Sequence, residues 1–174
     1  VASEKRAGPP PPPQSERNSP ESVCAAIEAL GGEITFDERS PLRPAVSVSF
    51  YENERITDAD LQHLAKLTTL QQVILDGTDI TDDGLGLLMP LRNLRSLGLG
   101  NTSVTGRGLA ALEAFPHLEV LELHNLLIED EELAYLLDLH ELRMLFLSGT
   151  HVSSDGLQTI GRLTSLDTLD LGDT

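Results

Sequence analysis

The chain has 174 residues, the size of one domain, and 40% apolar residues with only 3% aromatics predict an aliphatic core. Its 28 acidic residues against 12 basic ones give a formal charge of −16, which repels phosphate backbones and disfavours nucleic acid as a partner. Because Cys24 is the single cysteine, a disulfide framework and a cysteine-based zinc site are excluded. No apolar run reaches the length of a transmembrane helix, so we expect no direct membrane insertion.

The first 55 residues precede the regular part of the chain. Residues 1–19 hold a five-proline run in a polar setting and are predicted to form a disordered linker. Ser19, Pro20 and Glu21 form a helix start that is followed by apolar residues at helical spacing and stopped by Gly31. Alternation at 33–37 and 46–50 predicts two strands. We interpret residues 20–55 as an N-terminal cap that closes one apolar end of a repeat array.

From Ile56 to Thr174 one unit of 24 residues recurs without insertion or deletion. In each unit leucines first recur every three residues, which predicts a short helix, and then alternate, which predicts a strand. The predicted fold is an α/β solenoid with a parallel sheet on its concave face and short helices on its convex face. The repeats are 56–79, 80–103, 104–127, 128–151 and 152–174, the last of which is shorter. The chain begins at Val1 and stops within a repeat, so we expect both ends to be truncated.

Three features of the repeat are predicted to be structural. Thr81 and its equivalents precede the helix and can cap it. Thr102 and its equivalents can bond backbone groups of the turn after the strand. Leu126 interrupts that series, and we expect it either to pack inward or to lie exposed. Acids such as Asp82 and Asp83 begin the helices, where the helix dipole stabilises a negative charge. A basic partner or a cation site is the alternative explanation for these acids.

Stacking in register predicts three outward-facing columns on the sheet. Most outward positions are small or polar, but Val120, Met144 and Phe146 are adjacent and apolar, which marks a candidate contact site. Scattered exposed apolar residues are common, so core or surface filling is the alternative. The predicted partner-binding residues on the concave face are Gln72, Ile74, Asp76, Val120, Glu122, His124, Met144, Phe146 and Asp170.

Sequence motifs for catalysis are missing. The glycines recur with the repeat and lack the lysine of a phosphate-binding loop. None of the five histidines has the helical i, i+4 pairing of a metal site, and Ser153 matches a helix cap better than a nucleophile. We therefore expect no enzyme activity, no catalytic residue, no cofactor and no metal.

The unit resembles that of leucine-rich repeat proteins, of the bacterial kind that reads L-x-x-L-x-x-L-x-L-x-x-T-x-I-T-D-x-G-L, and is similar to the repeats attached to F-box domains. The match covers residues 56–174, with Val104 and Val152 in place of Ile and Glu132 in place of Gly. The resemblance implies a scaffold that binds a protein or peptide, with a basic one compatible with the acidic charge. Two alternatives stay open: a substrate-receptor arm of a larger assembly such as an F-box ubiquitin ligase, and a structural array that self-associates through its open C-terminal end.

Overall fold

The computed structural model describes residues 19–174, so the predicted proline-rich linker lies almost wholly outside the described residues. One helix and seven strands frame the structure: α1 (Pro20–Ala29), β1 (Glu33–Phe36), β2 (Ala45–Ser49), β3 (Gln72–Ile74), β4 (Ser96–Gly98), β5 (Val120–Glu122), β6 (Met144–Phe146) and β7 (Thr168–Asp170). The strands form one sheet in the order of the sequence. The β1–β2 pair is antiparallel, and every later pair is parallel.

The elements that precede the repeats lie where local signals predict them. Ser19 Oγ accepts a hydrogen bond from the Ser22 amide at 3.2 Å and so caps α1, and Gly31 ends it with a φ of +86°. Val23 and Ile27 turn one face of α1 into the core. The hairpin of β1 and β2 then delivers the first strand onto which the parallel strands stack.

Each repeat contributes a strand to one layer and a short helical segment to the other. The helical segments are Asp58–Asp60, Leu61–Leu64, Asp82–Leu87, Gly106–Ala114, Asp130–Leu136 and Gly156–Ile160. In the third and fourth repeats they are 3-10 helices, and in the second and fifth they are α-helices. Leucines from both layers fill the space between them, as the full burial of Leu85 and Leu97 illustrates. None of the described helices is long and apolar enough to cross a membrane.

The turns after the strands confirm the structural role predicted for the threonine series. The hydroxyl groups donate to backbone carbonyls three residues earlier, at 2.6 Å from Thr78, 2.7 Å from Thr102 and Thr150, and 3.0 Å from Thr174. Leu126 is 2% exposed, so it packs inward, which was one of the two outcomes left open for that position.

The acids at the helix starts have a role that neither sequence interpretation contained. Asp82 Oδ1 and Oδ2 accept hydrogen bonds from the backbone amide and the hydroxyl of Thr105, in the next repeat, at 2.8 and 2.7 Å. Asp58 and Asp130 bind the next repeat in the same way. A Cβ on Gly108 would lie 2.3 Å from Asp82 Oδ1, so the glycine at this position of the repeat leaves room for the carboxylate. These aspartates therefore hold neighbouring repeats together in addition to lying at a helix start.

The predicted capping of the helix by threonine is observed at Thr81, whose hydroxyl accepts a hydrogen bond from the Asp83 amide at 3.3 Å. Thr105 makes no such bond.

Candidate functional site

The outward face of the sheet carries the columns that the 24-residue period predicts. The register aligns Gln72, Ser96, Val120, Met144 and Thr168 in one row, and Ile74, Gly98, Glu122, Phe146 and Asp170 in the next. Helices are wider than strands, so the stack curves with this face on its concave side. The concave face therefore presents these side chains to one another and to any molecule that enters the curve.

Three apolar side chains lie together on the concave face, and we call Val120, Met144 and Phe146 the apolar trio. Val120 pairs directly with Met144 across β5 and β6, and Phe146 follows Met144 two residues later on the same face of β6. Met144 is 40% exposed, and Val120 and Phe146 are half-buried. The trio is thus reachable from solvent, whereas the inward residues of the same strands are fully buried.

A second group of side chains converges beside the trio, and we call Asp76, Glu122 and His124 the acid–histidine cluster. One ligand atom from each residue lies within 4.8 Å of the other two. Asp76 is only 4% exposed, although it stands on the outer face of the sheet. Its Oδ1 accepts a hydrogen bond from the Gly100 amide at 2.8 Å and lies 3.9 Å from His124 Nε2.

Two glycines make this convergence possible. Asp76 follows β3 and His124 follows β5, so β4 separates them. A Cβ on Gly98 would lie 2.0 Å from Asp76 Oδ2, and a Cβ on Gly100 would lie 2.0 Å from the His124 ring. Any side chain at these two positions would displace the cluster. Gly98 and Gly100 therefore leave the space that the side chains of the acid–histidine cluster occupy.

Burial and mutual repulsion shape the charge of the cluster. Burial raises the pKa of Asp76, while the Gly100 amide and the nearby His124 act in the opposite direction. The pKa of Glu122 is also raised, first by burial and then by the charge of Asp76, and His124 again opposes the shift. None of the outward positions in β3–β7 is Lys or Arg. The cluster is consequently a pair of adjacent carboxyl groups with a single imidazole beside them.

The remaining predicted contact residues belong to neither group, although Asp170 pairs directly with Phe146 across β6 and β7. Gln72 Oε1 accepts a hydrogen bond from the Ser47 hydroxyl at 2.9 Å, so this side chain is already engaged with the cap strand. Ile74 is half-buried on β3. Asp170 is exposed on β7, and its Oδ1 accepts from the Gly172 amide at 3.0 Å. The partner-binding role assigned to all nine residues stays a prediction.

The acid–histidine cluster was not recognised as a unit from the sequence, although its signal is present. Asp76, Gly100 and His124 stand at 24-residue intervals in one column, with the glycine in the middle. A small residue between two larger ones in such a column lets their side chains meet across the intervening strand, because parallel strands lie only about 4.8 Å apart. This arrangement differs from the helical i, i+4 pairing of histidines that is common in metal sites.

Comparison with known proteins supports the fold. No protein-family model matches the chain, and no curated protein does. Among solved structures, an internalin (InlF) of Listeria monocytogenes strain 4b F2365 is similar, with a TM-score of 0.55 and 27% sequence identity over 73% of this chain. The chain spans 41% of the length of that internalin chain. Together with the parallel sheet and its 24-residue period, this similarity identifies a leucine-rich repeat fold.

Proposed function

We propose that this chain is a non-enzymatic protein-interaction module whose concave sheet binds a protein or peptide. The observation that carries the proposal is the apolar trio. The buried core does not include Val120, Met144 or Phe146, so the fold does not require them to be apolar. Adjacent, solvent-accessible apolar side chains on a surface of mostly small or polar residues are typical of contact sites. The resemblance of the repeat to bacterial leucine-rich repeats, which implies concave-face binding, points the same way.

The charge of the same face indicates the kind of partner. Asp76, Glu122 and Asp170 are acidic, and no Lys or Arg occupies an outward position of β3–β7. Complementary charge favours encounter and correct orientation of the two molecules. The partner we propose therefore has an apolar anchor that packs on the trio and carries basic groups around it.

The test is a crosslinking pull-down with the whole chain as bait, run with Phe146→Ala and Met144→Ala. Truncating an interface anchor typically costs more than about 1 kcal/mol of binding free energy, so each variant should capture its partner at least about fivefold more weakly. Leu127→Ala is the matched control, because Leu127 is 68% exposed and lies outside the sheet face. The thermal melts of all three variants should stay close to that of the parent chain.

Two results would speak against the proposal. A large loss of melting temperature in Phe146→Ala or Met144→Ala would make these residues part of the core. Equal loss of capture in Leu127→Ala would mean that apolar exposure in general, and not the concave face, is responsible.

A second candidate function is self-association through the last strand. Leu169 on β7 is 37% exposed, whereas Leu145, its equivalent on β6, is fully buried. An open apolar strand position can be covered by another copy. Light scattering after size exclusion over a range of concentrations should then show growing mass, and Leu169→Glu should abolish it. A monodisperse monomer at every concentration would contradict this candidate.

A further inference from the structure

The acid–histidine cluster brings together one imidazole and two carboxylates from separate strands. Each offers one ligand atom, and the three atoms lie within 4.8 Å of one another. We propose that Asp76, Glu122 and His124 form a binding site for a divalent transition-metal ion, with zinc as the best match. The inference is independent of the proposed partner binding.

The ligand set selects the class of ion. Imidazole nitrogen suits zinc, copper, nickel and iron, whereas calcium and magnesium prefer sites built wholly from oxygen. Three protein ligands leave at least one coordination position open, which is the usual arrangement of a zinc site that exchanges its remaining ligand. Zinc bonds of about 2.1 Å in a tetrahedral site place ligand atoms about 3.4 Å apart, so small side-chain rotations are enough to close the cluster around an ion.

Charge balance points to a cation in this place. Two carboxyl groups lie side by side, and in the described part of the chain the ion pair of Asp76 is with His124 alone. The 3.9 Å between Asp76 Oδ1 and His124 Nε2 is too long for a hydrogen bond. Burying a carboxylate that lacks a close counter-ion is costly. A metal ion between the three side chains would remove that cost.

The backbone is shaped for this convergence. Gly98 and Gly100 leave open the space into which the Asp76 carboxylate and the His124 ring extend, since a Cβ on either glycine would lie 2.0 Å from these groups. The Gly100 amide also fixes one Asp76 oxygen by a hydrogen bond of 2.8 Å. Such hydrogen bonds to a ligand orient it for metal binding. Two features distinguish this cluster from acids that are merely near one another: the glycines leave room for its side chains, and an amide holds one of the ligands in place.

The open side of the site faces the concave surface. Glu122 pairs directly with Phe146 of the apolar trio, so a bound ion would lie next to that trio. A donor atom from another molecule could then complete the coordination of the ion.

The experiment titrates metal-free protein, the whole 174-residue chain, with zinc chloride at neutral pH by isothermal titration calorimetry. Cobalt(II) absorption serves as a second readout, because its visible spectrum reports coordination by the protein. We expect one ion per chain, with affinity at least about tenfold lower in Asp76→Asn and in His124→Ala, each of which removes one of three ligands. Asp76→Asn retains an acceptor for the Gly100 amide, so it should fold. His140→Ala, an exposed histidine outside the cluster, is the matched control and should bind as the parent does.

Several outcomes would overturn the proposal. Failure to see saturable zinc binding would do so, as would equal affinity in Asp76→Asn, His124→Ala and the parent, which would indicate scattered surface sites. Tighter binding of calcium or magnesium than of zinc would refute the assigned class of ion. The titration is repeated on Phe146→Ala, where an unchanged zinc affinity is expected. Loss of metal binding and loss of partner capture are therefore separate results.

Discussion

Replacing Asp82 by Ala tests whether the aspartates at the helix starts hold the repeats together. The carboxylate of Asp82 accepts two hydrogen bonds from Thr105 in the next repeat, at 2.8 and 2.7 Å. A hydrogen bond to a charged group contributes about 1.5 to 3 kcal/mol, and partial exposure of this pair reduces that value. We therefore expect Asp82→Ala to lower the free energy of unfolding by about 2 to 3 kcal/mol, which includes the cost of an unpaired Thr105 amide.

Asp83→Ala is the matched control, because Asp82 and Asp83 are adjacent in the first turn of the same helix. The helix dipole stabilises either carboxylate by about 0.3 to 1 kcal/mol, so the dipole explanation predicts similar losses in the two variants. The inter-repeat hydrogen bonds predict a loss at Asp82 that is several times larger. Urea unfolding followed by circular dichroism measures both, with the denaturant slope checked for a change in cooperativity. Equal destabilisation of the two variants would refute the inter-repeat role of Asp82.

Gly98→Ala should destabilise the fold by about 1 to 3 kcal/mol, because its Cβ would collide with Asp76 Oδ2, whereas Gly86→Ala, which meets nothing within 4 Å, should be neutral or stabilising in thermal melts. Equal melting temperatures of the two variants would contradict the role of Gly98 in leaving space for the Asp76 carboxylate. A second prediction concerns acid. The pKa of Asp130 is lowered from its ordinary value of 3.8, since its carboxylate accepts from the hydroxyl and amide of Ser153. A lowered folded-state pKa gives stability that is present above that ordinary value and lost as pH falls through the lowered one. The difference in melting temperature between the parent and Asp130→Asn should therefore be largest near neutral pH and shrink as the pH falls below 3.8 and through the lowered pKa of Asp130; a difference that does not depend on pH would count against the Asp130–Ser153 hydrogen bonds.

The elements of the fold could be predicted from the sequence because their signals are local. Ser19, Pro20 and Gly31 mark the ends of α1, and the predicted helix and both cap strands match the structure to within one residue at each end. The strand register also followed from the sequence, since a period without insertions leaves only one way to stack the leucines. Local patterns did not distinguish α from 3-10 helices, because the two differ in hydrogen bonding and hardly in apolar spacing.

The contacts between repeats were harder to predict. An aspartate at a helix start interacts favourably with the helix dipole and also accepts hydrogen bonds from the next repeat. The sequence pattern within one repeat indicates only the interaction with the dipole. Gly98 and Gly100 looked like blank positions in the outward columns. Their importance lies in what they allow from neighbouring strands, which becomes visible only when Asp76 and His124 are placed on either side of β4.

The junctions that depart from the common pattern obey the same physical requirement as those that keep it. At a regular junction a carboxylate from the preceding repeat binds the amide that starts the next helix, as Asp82 binds Thr105. The third repeat has Gly106 where the second has Asp82, so it offers no such carboxylate. Glu132 of the fourth repeat instead binds the amide of Glu129 at 2.9 Å, and its side chain passes over Gly106, where a Cβ would lie 2.3 Å from it.

At this junction the later repeat supplies the carboxylate and the earlier repeat supplies the glycine, which is the reverse of a regular junction. The first repeat uses the same device: the amide of Thr57 donates to Asp60 at 2.9 Å, and Asp60 stands where the second, third and fifth repeats have glycine. Each helix start therefore requires one carboxylate, which comes either from the repeat before it or from its own. This requirement accounts for Asp60, Gly106 and Glu132 without reference to a partner. The apolar trio and the acid–histidine cluster take no part in these junctions, so the requirement does not account for their side chains, which is why both functional proposals rest there.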